Sequence, residues 1–166
     1  MTVKDVRKDT QALTMTFVSE FDAAIDRVWR LWEDPRQLER WWGPPGYRAT
    51  FVDHDLTPGG KVAYFMTGPD GDRSNGWWRV IAVEPPGRLE FEDGFADESG
   101  NPNPEMPTMT VRVTLTAQPG GRTEMAIEST FPSAESMEKI ISMGAEEGMM
   151  QALGQIDDIL RSGKMA

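Results

Sequence analysis

Met109-Thr110-Val111-Arg112-Val113-Thr114-Leu115 alternates apolar and polar side chains, and Glu124-Met125-Ala126-Ile127-Glu128 resumes the alternation beyond the turn Pro119-Gly120-Gly121. Successive side chains on a strand point to opposite faces, so a two-residue period predicts strands with one buried and one wet face. Two such strands joined by a tight turn are the repeating unit of an antiparallel meander.

The same reading extends in both directions. Upstream, strands are expected over about 48–56, 61–67, 77–84 and 88–93, with the pair above over 108–117 and 123–130. The breaks between them are Pro58-Gly59-Gly60, the Gly68–Gly76 turn, Glu84-Pro85-Pro86-Gly87 and a loop from about Gly94 to Pro107. Leu13, Met15 and Phe17 alternate with Thr14 and Thr16, which adds a first strand ending near Phe21.

Between Phe21 and Tyr47 the period changes. Ile25, Val28, Trp29 and Trp32 form one helical stripe, with Asp22 as the expected N-cap. Asp34-Pro35 starts a second helix carrying Leu38, Trp41 and Trp42, which Gly43-Pro44-Pro45-Gly46 ends. Downstream, Ser133 to about Arg161 reads as one long helix with Met137, Ile141, Ala145, Met149, Ile156 and Leu160 on one face. Gly144, Gly148 and Gly154 lie inside it, each costing about 1 kcal/mol against alanine.

The fold class is therefore α+β: a curved antiparallel sheet of about seven strands, two short helices after the first, and a long C-terminal helix. Residues 1–9 are expected to be a flexible N-terminus, 10–162 a single domain and 163–166 a tail. The 166 residues suit one domain.

Composition narrows the function classes. The net charge of −10 repels phosphate backbones and anionic lipid, which argues against nucleic-acid partners and membrane insertion. Without cysteine, disulfides and thiolate chemistry are unavailable. The N-terminal stretch lacks a signal-peptide apolar run, and Val80-Ile81-Ala82-Val83 is far too short to span a bilayer. The expected location is cytoplasmic.

Six short motifs in register carry a resemblance. They are Val28-Trp29, Asp34-Pro35, Arg40-Trp41-Trp42-Gly43-Pro44, Asp55-Leu56-Thr57-Pro58-Gly59-Gly60, Pro85-Pro86-Gly87-Arg88-Leu89 and Glu146-Glu147-Gly148. Together they resemble the activator-of-heat-shock-protein-90-ATPase-like branch of the START/polyketide-cyclase (SRPBCC) superfamily, from about Leu13 to Leu160. The resemblance implies the helix-grip fold and, for function, ligand binding, lipid or polyketide handling, or catalysis. The loop Gly94–Pro107 resembles that of a bacterial subgroup expected mainly in actinobacteria. Two positions depart from the family pattern: Thr57, where arginine is frequent, and Met149, where tryptophan is frequent after the helix glycine. A thioether in place of an indole implies a roomier, more adaptable pocket.

Candidate chemistry is sparse. His54, the single histidine, lies between Asp53 and Asp55, whose side chains point to the opposite strand face and so cannot be assumed to orient it. Glu20 and Tyr64 are the other weak acid–base candidates. No metal or cofactor is expected: the oxygen-rich loop Asp97–Glu105 has proline where a calcium loop needs glycine. Gly68–Gly76 lacks the lysine and following helix of a phosphate cradle.

Aromatic and methionine residues are the substantial signal. The expected ligand cavity between sheet and helix is lined by Trp41, Trp42, Phe51, Tyr64, Met66, Trp78, Phe91, Phe95, Met109, Ile141, Ala145 and Met149. The parity of Trp77 against Trp78 is left open, and the 94–107 loop is a candidate lid. The leading functional expectation is a binding protein for a hydrophobic small molecule. A cyclase- or hydrolase-like enzyme and a stress-related co-chaperone are the alternatives, and a homodimer is left open.

Overall fold

A computed structural model of the chain describes residues 3–163. Eight strands form one open antiparallel sheet: β1 (Val3–Asp9), β2 (Thr14–Phe21), β3 (Arg48–His54), β4 (Lys61–Thr67), β5 (Arg73–Glu84), β6 (Arg88–Ala96), β7 (Met109–Gln118) and β8 (Arg122–Thr130). Their order across the sheet is β1-β2-β8-β7-β6-β5-β4-β3. From β3 to β8 the path is a meander, and β2 closes against β8 through eight paired positions from Thr14↔Thr130 to Phe21↔Thr123.

One strand was not expected. Residues 3–9, read from sequence as part of a flexible N-terminus, pair with β2 from Val3↔Ser19 to Asp9↔Thr14. Polar composition concealed this strand because it is an edge, where charged side chains discourage further pairing. Lys4 reaches Glu20 and Glu124 on the neighbouring strands at 3.1 and 2.8 Å. Met1, Thr2 and the tail from residue 164 lie outside the described residues.

Between β2 and β3 come α1 (Ile25–Glu33) and α2 (Pro35–Leu38). The expected cap at Asp22 is not made: the N-cap of α1 is Ala24, without a side-chain hydrogen bond. Asp34 does cap α2, accepting from the Arg36 backbone N–H at 2.9 Å, with Pro35 at the first helical position. Val28, Trp29, Leu31 and Trp32 are buried from α1 against the sheet.

The C-terminal helix is segmented into α3 (Ala134–Ser142), α4 (Ala145–Leu153) and α5 (Ile156–Gly163). Ser133 caps the start by accepting from the Ser136 N–H at 3.1 Å. The first break is at Gly144, whose φ of 88° is left-handed backbone that glycine adopts without strain. At Gly154 the backbone remains near helical, so the second break is slight. Gln155 secures it by donating to the Gly43 carbonyl at 2.7 Å, which ties the helix to the loop after α2.

Gly144 and Gly148 predict opposite outcomes. Gly144→Ala forces alanine into left-handed backbone and should destabilise by roughly 1–2 kcal/mol. A Cβ on Gly148 meets nothing within 4 Å, and Gly148→Ala should stabilise by up to about 1 kcal/mol. Urea unfolding midpoints of the two variants should therefore move in opposite directions.

Candidate functional site

The inner face of the sheet follows from strand parity. Tyr64 stands opposite Gly76, Gly76 opposite Phe95, Trp78 opposite Asp93 and Asp93 opposite Met109. Trp78 is therefore the inward residue and is 1% exposed. Trp77 points to the other face, lies over Gly94, and donates its indole N–H to the Phe95 carbonyl at 3.0 Å. A Cβ at Gly94 would come within 2.6 Å of that indole, so the ring requires glycine beneath it.

Aromatic rings fill one part of the space between sheet and helices. Trp78 stacks on Phe91 with centroids 4.0 Å apart, and Trp42 stands edge-on to Trp78 at 4.9 Å. Trp32 packs edge-on against Trp41 at 4.8 Å, and Trp41 donates to the Leu31 carbonyl at 3.0 Å. Phe51 stacks on Tyr64 at 5.1 Å. These contacts leave a solid aromatic wall.

Beside the wall is a cavity with two adjoining lobes that share Tyr64, Met66, Asp93 and Met109 as lining. One lobe, of about 120 Å³, is bounded by Phe95, Pro107 and Ile140. The other, of about 200 Å³, lies under α4, bounded by Trp42, Ser129, Ala145, Gly148 and Met149. Small-molecule sites typically measure ~300–1,000 Å³, so only a ligand extending past Tyr64 and Asp93 into both lobes reaches that range.

Asp93 is the one carboxyl in this mostly apolar lining, where Ser74, Asn75 and Ser129 are the other small polar residues. It is 7% exposed, and burial pushes its carboxyl from the ordinary 3.8 up to about 7. The Tyr64 hydroxyl and the Gly94 backbone N–H oppose that rise. The hydroxyl donates to Asp93 Oδ1 over a long 3.4 Å. Tyr64 is raised well above the usual phenol value, by burial first and the Asp93 charge second. The indole N–H groups of Trp42 and Trp78 favour the phenolate from nearby, yet neither completes a hydrogen bond.

Comparison with known proteins decides the family. The family model described as activator of Hsp90 ATPase homolog 1-like protein matches residues 22–161. The chain belongs to this family. A solution NMR structure of a protein from Arthrobacter aurescens is 53% identical, with a TM-score of 0.92 over 97% of this chain and 93% of that one. The crystal structure of Ms6760 from Mycobacterium smegmatis is 48% identical, with a TM-score of 0.88 over 95% of this chain and 96% of that one. A Staphylococcus epidermidis protein at 27% identity superposes with a TM-score of 0.80 over 98% of this chain and 95% of that one. A search of curated proteins finds no match.

Within this Hsp90-activator-like domain, the residues expected at the cavity divide into three groups. Trp42, Tyr64, Met66, Phe95, Met109, Ala145 and Met149 line one or both lobes. Trp41, Phe51, Trp78 and Phe91 are buried in the aromatic wall behind them. Ile141 borders a separate surface depression with Leu13 and Met137, because α3 turns it toward the turn between β1 and β2. Thr57, one of the two departures from the family pattern, is exposed and bonds Asp55 Oδ1 at 2.8 Å.

His54 and Glu20 do not border either lobe. His54 Nε2 lies 3.0 Å from the Trp32 carbonyl. Glu20 pairs with Lys4 at 3.1 Å and Arg122 at 3.0 Å. Of the three acid–base candidates, Tyr64 alone faces the cavity. Among the described residues no cluster of three or more metal-ligating side chains occurs, and no helix is long and apolar enough to cross a membrane. In the 94–107 loop, Asp97 Oδ1 accepts from the backbone N–H groups of Ser99 and Asn101 at 2.9 Å each.

Asp93 was missed although its signal was present. Leu89 and Phe91 set a two-residue period on β6, and continuing it places Asp93 inward. The acid occupies a position where the pattern demands an apolar residue.

The raised carboxyl predicts a pH effect on stability. Folded Asp93 holds its proton to about pH 7, whereas the unfolded chain releases it near 3.8. Stability from this group is thus complete below about pH 4 and is lost as pH rises through 7, on the order of 4 kcal/mol in all. Asp93→Asn should gain on the wild type between pH 5 and pH 8, measured by chemical denaturation at each pH.

Proposed function

We propose that this domain binds a hydrophobic small molecule in the two-lobed cavity between the sheet and α4. The carrying observation is the mostly apolar lining, built from three methionines and an aromatic wall, around the buried Asp93 and the half-buried Tyr64. Much of this apolar lining is left half-exposed to water, and a bound apolar ligand would remove that surface from solvent. Methionine side chains also adapt to ligand shape at little strain.

Catalysis on such a ligand is a second reading, favoured by Asp93 alone. A carboxyl near 7 is matched to proton transfer at neutral pH, and it lies within reach of anything spanning both lobes.

Methyl-labelled methionine NMR tests binding directly. Titration with a library of hydrophobic compounds should shift Met66, Met109 and Met149 before other methionines. Gly148→Phe, which projects a ring into the larger lobe, should abolish those shifts while Gly148→Ala preserves them. Absence of any binder, or unchanged binding in the phenylalanine variant, would sink the proposal.

A further inference from the structure

The Asp93 side chain meets neutral donors and no cation. Tyr64 donates to its Oδ1 over 3.4 Å, and the nearby Gly94 N–H also favours the charged form, so the carboxyl is placed as an acceptor. Neither group carries a charge. Asp93 lines both lobes, and no lysine, arginine or histidine joins it in the lining of either. A buried carboxylate without a cation is an expensive arrangement, stable only if it stays protonated or a counter-charge arrives.

The surroundings suit an arriving cation. Tyr64 borders both lobes beside Asp93, with Phe95 on the smaller and Trp42 on the larger, and ring faces attract ammonium groups within about 6 Å. Met66, Met109 and Met149 accommodate an apolar body. The net charge of −10 draws cations toward the molecule and repels anions.

We infer that the ligand is a hydrophobic amine, its ammonium paired with the Asp93 carboxylate between the lobes and its apolar body against the methionines. This rests on the binding reading above and names the class of ligand. The pairing needs ionised Asp93, so each bound amine displaces the proton that burial retains there. Of the elements lining the cavity, β6 supplies Asp93 and β4 supplies Tyr64. The loop after α2, β5, β7, β8, the 94–107 loop, α3 and α4 contribute no charged or titratable group to its lining. Tyr64 stays protonated across neutral pH, which leaves Asp93 as the group whose charge changes.

The test compares 2-phenylethylamine with propylbenzene and 2-phenylethanol, neutral isosteres of the same size, by methionine-methyl NMR from pH 5 to pH 8. At pH 8 the amine should bind at least tenfold more tightly than either isostere. Its affinity should fall about tenfold per pH unit below 7 while theirs stays level. Asp93→Asn should erase the amine's advantage yet keep isostere binding, and the wild-type pH profile stands should that variant fail to fold. Equal binding of amine and isosteres at pH 8, or an amine affinity that stays level from pH 8 down to pH 5, overturns the ammonium assignment while leaving the cavity as a ligand site. Failure of all three to bind overturns the assignment and counts against the cavity reading itself.

Discussion

Trp42 stands edge-on to Trp78, and Trp78 lies flat on Phe91; around these contacts the rest of the interior is arranged. Burying three large rings between α1, α2 and the middle of the sheet supplies a large share of the apolar area that holds the layers together. The contact also fixes where the interior is solid. Side chains on the inner face beyond Trp42 and Trp78 are smaller or more flexible, and the helix above them carries alanine and glycine. The void is consequently displaced toward Met66, Met109 and α4. Its position follows from the placement of bulk along the strands.

Asp93 works against this packing. An ionised carboxylate in that setting loses solvation, and the Tyr64 hydroxyl and the nearby Gly94 N–H recover only part of it, which is why its proton is held to about pH 7. A purely structural role would be served as well by leucine, continuing the pattern of Leu89 and Phe91. Tyr64 is bound to the same constraint. Its ring needs Gly76 directly opposite, since a Cβ there would collide with the phenol. The strand therefore gives up side-chain packing at one position so that a hydroxyl can reach Asp93. Two sequence choices that each weaken the sheet converge on one polar pair.

Much of the fold was legible because two-residue alternation reports directly which face of a strand is buried. From β2 and β3 through β8, strand positions came within a few residues, and the cap at Asp34 and the helix start at Ser133 follow from local chemistry. Three features were hidden for physical reasons. The β1 edge is half solvated and so shows little alternation. The break at Gly144 depends on a left-handed φ that composition alone does not distinguish from a tolerated helix glycine. Ile141 shares the helical stripe of Ala145, but the turn at Gly144 rotates the two segments apart, so periodicity carried across the break misplaces it. At the site, methionines and aromatics were readable as apolar bulk. Whether a ring lined the void or backed it depended on packing depth, as with Trp42 in front and Trp41 behind.

The two halves of the site are set by different parts of the chain. The charged feature belongs to the sheet, where Asp93 and Tyr64 are locked by register to Trp78 and Gly76 and cannot shift without unpairing strands. Volume belongs to α4, whose Ala145, Gly148 and Met149 face the larger lobe from a segment released by the turn at Gly144. A Cβ at Gly148 has open space ahead of it, so side-chain size there can change without disturbing a neighbour. Met149 stands where the family pattern often places tryptophan; an indole at that position on the lobe wall would take up more of its space than a flexible thioether. On the binding reading proposed above, substitutions on α4 would alter the size of the accepted ligand while the sheet holds Asp93 in place.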